Sequence, residues 1–206
     1  SCTDCIISVG RSGSKWMEKV CKDLDIPTKS NRVDIGVRVE MKDIIWREFS
    51  SQIYEPKILY RTKTFEDRCR MFCFNQGGIV SAENNHGIIT ANGHSFADPA
   101  RKTENCNFAI LSSIHFTEPF NQPIAYAQKV GELTNMLGAG HIMVQRFGDI
   151  LDGKRTWQKE LAQSNVKPTL PDAVAGDITA AMPYRAMTNI IGFIQAVDQV
   201  VPGFAS

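Results

Sequence analysis

Asp34-Ile-Gly-Val-Arg-Val-Glu40 is the stretch on which the fold turns. Ile35, Val37 and Val39 alternate with Gly or charged residues, the period of two that marks a half-buried strand. Lys57-Ile-Leu-Tyr-Arg-Thr-Lys63 and Arg68-Cys-Arg-Met-Phe-Cys-Phe74 read as two more strands. Gly77-Gly78 reads as a hairpin turn into a strand over 79–83. Asn84-Asn85-His86-Gly87 reads as a second turn, into a strand over 88–92. An apolar run from Phe108 to Phe116 closes this part. Short strands with turns at this interval predict an antiparallel sheet or a small barrel.

After Asn121 the period changes. Asn121 is placed to cap a helix with Pro123 in its first turn. Tyr126, Val130, Leu133 and Leu137 share one face of it, and Gly138 and Gly140 stop it. A short helix is predicted over 154–162, and a Pro- and Gly-punctuated loop over 168–176. The last helix runs from Tyr184 to Val201. Met187, Ile190, Ile191, Ile194, Val197 and Val201 form its apolar stripe. The fold class is therefore α+β, a sheet or small barrel plus helices.

Upstream, Asp4-Cys-Ile-Ile-Ser-Val-Gly10 reads as a continuous apolar strand. It enters the turn Gly10-Arg-Ser-Gly13 and then a helix over 14–24, with Trp16, Met17, Val20, Cys21 and Leu24 on one face. Such a strand belongs inside a parallel sheet covered on both faces. No second unit of this kind lies nearby. The expectation is an internal piece of a larger α/β protein.

Composition narrows the function. A hydrophobic content of 43% supports a real core. The net charge of +1, from 23 basic and 22 acidic residues, leaves no footprint for nucleic acid or a membrane surface. No stretch approaches the roughly 20 apolar residues of a membrane helix, and no basic-then-apolar leader follows Ser1. Six cysteines do not make a disulfide scaffold, so reduced thiols in a cytoplasm are expected.

The chemistry-bearing motifs each have a plain structural reading as well. Gly10-Arg-Ser-Gly13 sits where backbone N–H groups can meet an anion, but it is neither GxGxxG nor a P-loop; taken alone it reads more readily as a tight turn than as a phosphate site. Cys2 and Cys5 form a single CxxC with no second pair to complete a zinc site, and its redox role stays open. Cys69 and Cys73 are separated by roughly 13 Å along a strand, too far for a disulfide; with Met71 they read as one packing face. The four histidines show no metal-ligating spacing. Three polar blocks remain: Asn92-Gly-His-Ser95, Lys102-Thr-Glu-Asn-Cys-Asn107 and Gln145-Arg-Phe-Gly-Asp149. Solvated loops would explain each separately.

Taken in order along the chain, the blocks are specific. Val9-Gly-Arg-Ser-Gly13, Asp34-Ile-Gly-Val-Arg-Val-Glu40, Asn92-Gly-His-Ser95, Lys102-Thr-Glu-Asn105, Phe116-Thr-Glu-Pro-Phe120, Gln145-Arg-Phe-Gly-Asp149, Pro168-Thr-Leu170 and Pro202-Gly-Phe-Ala-Ser206 match one family. The chain resembles the bacterial FAD-dependent dehydrogenases often described as NAD(FAD)-utilizing dehydrogenases. The resemblance implies a parent flavoprotein oxidoreductase whose GxGxxG unit is not in this sequence. It divides the chain into a remnant strand and helix of the FAD-binding domain (1–30), a substrate or cap domain (31–182) and a helix returning toward the FAD-binding domain (183–206). FAD is expected in the full-length parent and not in this fragment alone. Gly10, Arg11, Ser12 and Gly13 would lie near the cofactor. His94 and Arg146 would be catalytic, His94 as a proton donor and Arg146 as the holder of an anionic small-molecule substrate. Asn92, Ser95, Glu104, Asn105 and Asp149 would complete the substrate site, with the three blocks lining one concavity. NAD(P)H is a candidate partner; nucleic acid and membrane are not expected. The alternative is a non-catalytic binding or interaction module built on a flavoprotein scaffold.

Overall fold

The computed structural model describes residues 3–10 and 12–206. In chain order its strands are β1 (Val33–Lys42), β2 (Ile58–Arg61), β3 (Arg68–Asn75), β4 (Ile79–Asn85), β5 (Ile88–His94), β6 (Asn105–Ile114), β7 (Met143–Val144) and β8 (Val174–Ala175). Its α-helices are α1 (Ser14–Asp23), α2 (Arg47–Ser50), α3 (Pro123–Leu137), α4 (Phe147–Leu151), α5 (Gln158–Gln163) and α6 (Tyr184–Asp198). The protein is α+β. Four strands form an open antiparallel sheet in the order β1-β6-β3-β2, so it is not a barrel. β4 and β5 form a separate hairpin, and β7 and β8 a short parallel pair.

The pleat sorts the sheet into two unlike faces. On one face Ile35, Met41, Cys69, Met71, Phe108 and Ile110 are buried beneath Met187, Ile190, Phe193, Ile194 and Val197 of α6. The alternation of β1 and the helical stripe of α6 meet here, each burying what the other offers. Trp46 is 1% exposed at the end of this core. Phe74, Phe108 and Phe204 meet its ring edge-on at 5.6, 6.0 and 5.6 Å. The other face carries Asp34, Arg38, Glu40, Arg70, Asn105 and Asn107, and the β4–β5 hairpin lies across part of it. α3 docks on the hairpin with Gly131 against Ile88 and Asn135 on the backbone of β5. Asn135 accepts from the Ile89 N–H at 2.7 Å and donates to the Ile89 carbonyl at 2.8 Å, imitating a neighbouring strand.

Several expectations need correction. Residues 4–9 form no strand, and Ile6 is 94% exposed. No strand among the described residues offers that segment a ladder partner, and an isolated strand has no stable form. α1 forms as read but buries none of its residues. Gly77-Gly78 is not a hairpin turn, because β3 and β4 belong to different sheets. Instead Gly77 takes φ +60° and its carbonyl accepts from the Thr103 N–H, carrying the chain from one layer to the next. The turn at His86-Gly87 is a hairpin with both residues at positive φ, as a two-residue loop requires. Gln122, not Asn121, precedes α3, and no side chain caps it. Cys73 does not share the face of Cys69 and Met71. A bulge between Phe72 and Asn75 inserts a residue, so Phe74 takes the core position and Cys73 sits at φ +57°.

Candidate functional site

A cleft of about 1070 Å3 opens between β1, α3, α4 and α6. Its wall is largely apolar, with Val130 from α3, Met143, Phe147 and Ile150 around α4, and Met187 and Ile194 from α6. Charge enters from two places: Asp34, Arg38 and Glu40 on β1, and Arg146, Asp149 and Asp152 around α4.

The α4 corner is built from its backbone outward. β7 pairs with β8, and the chain then leaves at Arg146 in extended geometry to begin α4. Asp149 falls in the first helical turn, where a carboxylate also complements the helix dipole. Arg146 grips it with Nε to Oδ2 and Nη2 to Oδ1, both at 2.8 Å. Thr156 is fully buried. Its hydroxyl donates to Asp149 Oδ2 at 2.6 Å and accepts from the Arg146 N–H at 2.9 Å. Hydrogen bonding to Arg146 is the main force holding the Asp149 carboxyl below its ordinary value, against its burial. Gln145 adds a third anchor, donating to the Lys154 carbonyl and accepting from the Ile178 N–H. The result is a guanidinium fixed along one edge and exposed along the other.

Glu40 fixes a second part of the wall. Its carboxylate accepts from the Thr169 N–H at 3.2 and 3.1 Å and from Asn105 Nδ2 at 3.1 Å. Asn105 also donates to the Lys167 carbonyl at 2.9 Å, so the loop over 167–169 is tied to the sheet from two sides.

The predicted residues divide between the cleft and other places. Arg146 and Asp149 are in its wall, and they are paired to each other. Asn105 is buried behind it, touching Glu40. Asn92 donates to Glu83 on the hairpin, and Ser95 and His94 are exposed at the hairpin's end. Glu104 is exposed and pairs with Lys42 at 2.8 Å. Asn92, His94, Ser95, Glu104 and Asn105 do not line the cleft, so the three blocks do not meet in it. Gly93 does bring its backbone close to something, but to the side chains of Arg38 and Asn107. Glu40 and Thr156 were not singled out from the sequence. Glu40 ends an alternating strand, and Thr156 stands in a polar stretch with no local signal.

The Gly10–Gly13 turn lies apart from the cleft. Arg11 and Cys2 fall outside the described residues. Gly10 is at φ +60°, Ser12 is exposed, and a Cβ on Gly13 would collide with Val9. No side chain caps α1 and no acidic residue occupies its first turn. Its free N–H groups suit an anion. Cys5 is an exposed free thiol. Among the described residues no cluster of His, Cys, Asp or Glu could hold a metal ion. No helix described is long and apolar enough to cross a membrane.

Residues 33–206 match the family described as FAD-dependent protein, C-terminal domain-like. The chain belongs to that family. It is thus a flavoprotein-associated domain, and FAD is implied for the whole protein. The match starts at the first residue of β1 and runs through α6. No curated protein matches the chain.

Proposed function

We propose that this domain forms the substrate side of an FAD-dependent dehydrogenase, and that its cleft receives an anionic small molecule. The observation that supports this most is the fork at Arg146. Asp149 and Thr156 hold the guanidinium rigidly in the wall of a large, mostly apolar cleft. A pre-oriented guanidinium binds a carboxylate or phosphate with little loss of side-chain freedom. Apolar surface beside the guanidinium lowers the local dielectric and strengthens that contact.

FAD, when bound by the complete protein, supplies hydride or electron transfer. Arg146 orients the substrate's anionic group, Asp149 orients Arg146, and Glu40 with Asn105 keeps the loop over 167–169 in place as part of the wall. NAD(P)H is the proposed reductant. The proposed site keeps Arg146 and Asp149 and leaves His94, Asn92, Ser95 and Glu104 outside it.

The test uses the full-length flavoprotein. Reduction of its flavin absorbance by NAD(P)H, and reoxidation by a panel of carboxylate and phosphate compounds, are followed with and without Arg146→Ala. Substrate-dependent turnover should fall by about 100-fold while flavin content stays at the parent level. Equal turnover in parent and variant would remove Arg146 from the site. A full-length protein with no reducible flavin would remove the dehydrogenase reading altogether.

A further inference from the structure

β2 is the outer strand of the four-stranded sheet and pairs only with β3. Among the described residues no strand covers its other side, so backbone donors and acceptors stand open there. A groove of about 460 Å3 runs along this edge, between β2 and the outward side of α6. Ile58 and Tyr60 reach it from the strand, Lys63 and Thr64 from the turn that follows, Gly192 and Ala196 from the helix, and Val200 from just beyond the helix end. A Cβ at Gly192 would meet nothing within 4 Å, so there is room at that point for an incoming side chain.

On the opposite face of the sheet Arg61 stands directly across from Arg68 in the β2–β3 register. Both are exposed. Two carboxylates of this region are already engaged, Asp34 by Arg70 and Asp67 by Arg185, each at 2.6 Å. Like charges directly opposite each other weaken a sheet. Charges on an edge strand can serve only to repel unwanted strands. That accounts for Arg61. It does not account for Arg68, which stands on the inner strand and guards nothing.

We propose that β2 takes up, by strand addition, an extended acidic segment of a protein partner whose alternate residues are apolar. The side-chain alternation of a strand divides the segment between the two faces. Its apolar residues enter the groove beside α6, and its carboxylates lie against Arg61 and Arg68. A second copy of the chain does not fit, because β2 against β2 would gather four arginines on one face.

The test is fluorescence anisotropy with the full-length protein. The probe is a fluorescein-labelled heptapeptide of alternating Val and Glu. The unmodified protein should bind it with an affinity that falls as salt rises. A peptide with Lys in place of Glu should not bind. A Pro at the centre, which cannot donate to a ladder, should weaken binding about tenfold. Arg61→Glu and Arg68→Glu should each weaken it by about tenfold. Equal binding of the Glu and Lys peptides, no binding of the Glu peptide, or indifference to the central Pro would each overturn the proposal. Those comparisons use the unmodified protein, so they stand even if a variant fails to fold.

Discussion

Arg38 on β1 and Asn107 on β6 are joined by two hydrogen bonds to one carbonyl oxygen, at 2.9 Å from Nε and 2.5 Å from Nη2. The same guanidinium donates to the Cys73 carbonyl at 3.1 Å, so three strands of the sheet meet at it. Gly93 of the hairpin is pressed onto this group, and a Cβ there would collide with both side chains. Gly93→Ala must therefore push Arg38 off Asn107 or lift the hairpin. The expected loss is about 1–3 kcal/mol in urea unfolding. A variant as stable as the parent would show that the contact has slack.

Acid should weaken the fold through two aspartates. Asp67 is lowered chiefly by its hydrogen bond to Arg185, and Asp149 by its bond to Arg146. A carboxyl lowered in the folded state adds stability above its unfolded value of about 3.9. That stability is lost as the pH falls through the lower folded value. Asp149→Asn should flatten the acid limb of a urea-midpoint series between about pH 2 and 7. An unchanged limb would mean that the pair contributes nothing to stability.

Thr156→Val keeps the shape of the side chain and removes its hydroxyl. Asp149 then loses a donor and the Arg146 N–H an acceptor, both where water has poor access. Destabilisation of about 1–3 kcal/mol is expected. In the full-length protein the binding of anionic substrate should weaken as the fork loosens. Thr156→Ser should restore both. Failure of Ser to restore them would point to packing of the methyl group.

The thiols should separate by reactivity. Burial pushes the Cys69 thiol up to about 11 and raises Cys106 as well. Both are fully buried, whereas Cys5 is exposed. Under native conditions at neutral pH an aromatic disulfide reagent should modify Cys5 promptly and reach Cys69 and Cys106 only on unfolding. Rapid native modification of Cys106 would show that the sheet opens locally.

This 206-residue chain, purified alone, should carry no stoichiometric flavin. It contains no GxGxxG unit to seat a pyrophosphate at a helix start. A yellow protein with equimolar FAD would mean that the Gly10–Gly13 turn and the cleft suffice.

What could be read in the sequence was whatever depends on neighbours along the chain. Ile35, Val37 and Val39 announce β1, and the stripe from Met187 to Val201 announces α6, because period alone carries both. The hairpin at His86-Gly87 follows from turn chemistry. Pairing between distant strands leaves no such trace. Nothing local says that β6 sits between β1 and β3, or that a bulge moves Phe74 into the place where Cys73 would fall. The site suffered most for this reason. Arg146 and Asp149 are three residues apart on one turn, a spacing at which two side chains can meet, though it does not by itself choose Asp149 over Glu104. His94 and Glu104 were grouped with them across long separations, which only the tertiary fold decides. Thr156 was invisible because its importance comes from the two groups it touches.

The sheet order also sets a timetable for synthesis. β1 leaves the ribosome well before its partners: its ladder partner β6 ends at residue 114, and the helix that seals the apolar face begins at residue 184. At roughly 5–20 residues per second, that gap lasts on the order of ten seconds. Throughout it the apolar side of β1 has no lid. A stall before α6 would leave that apolar face open to other chains.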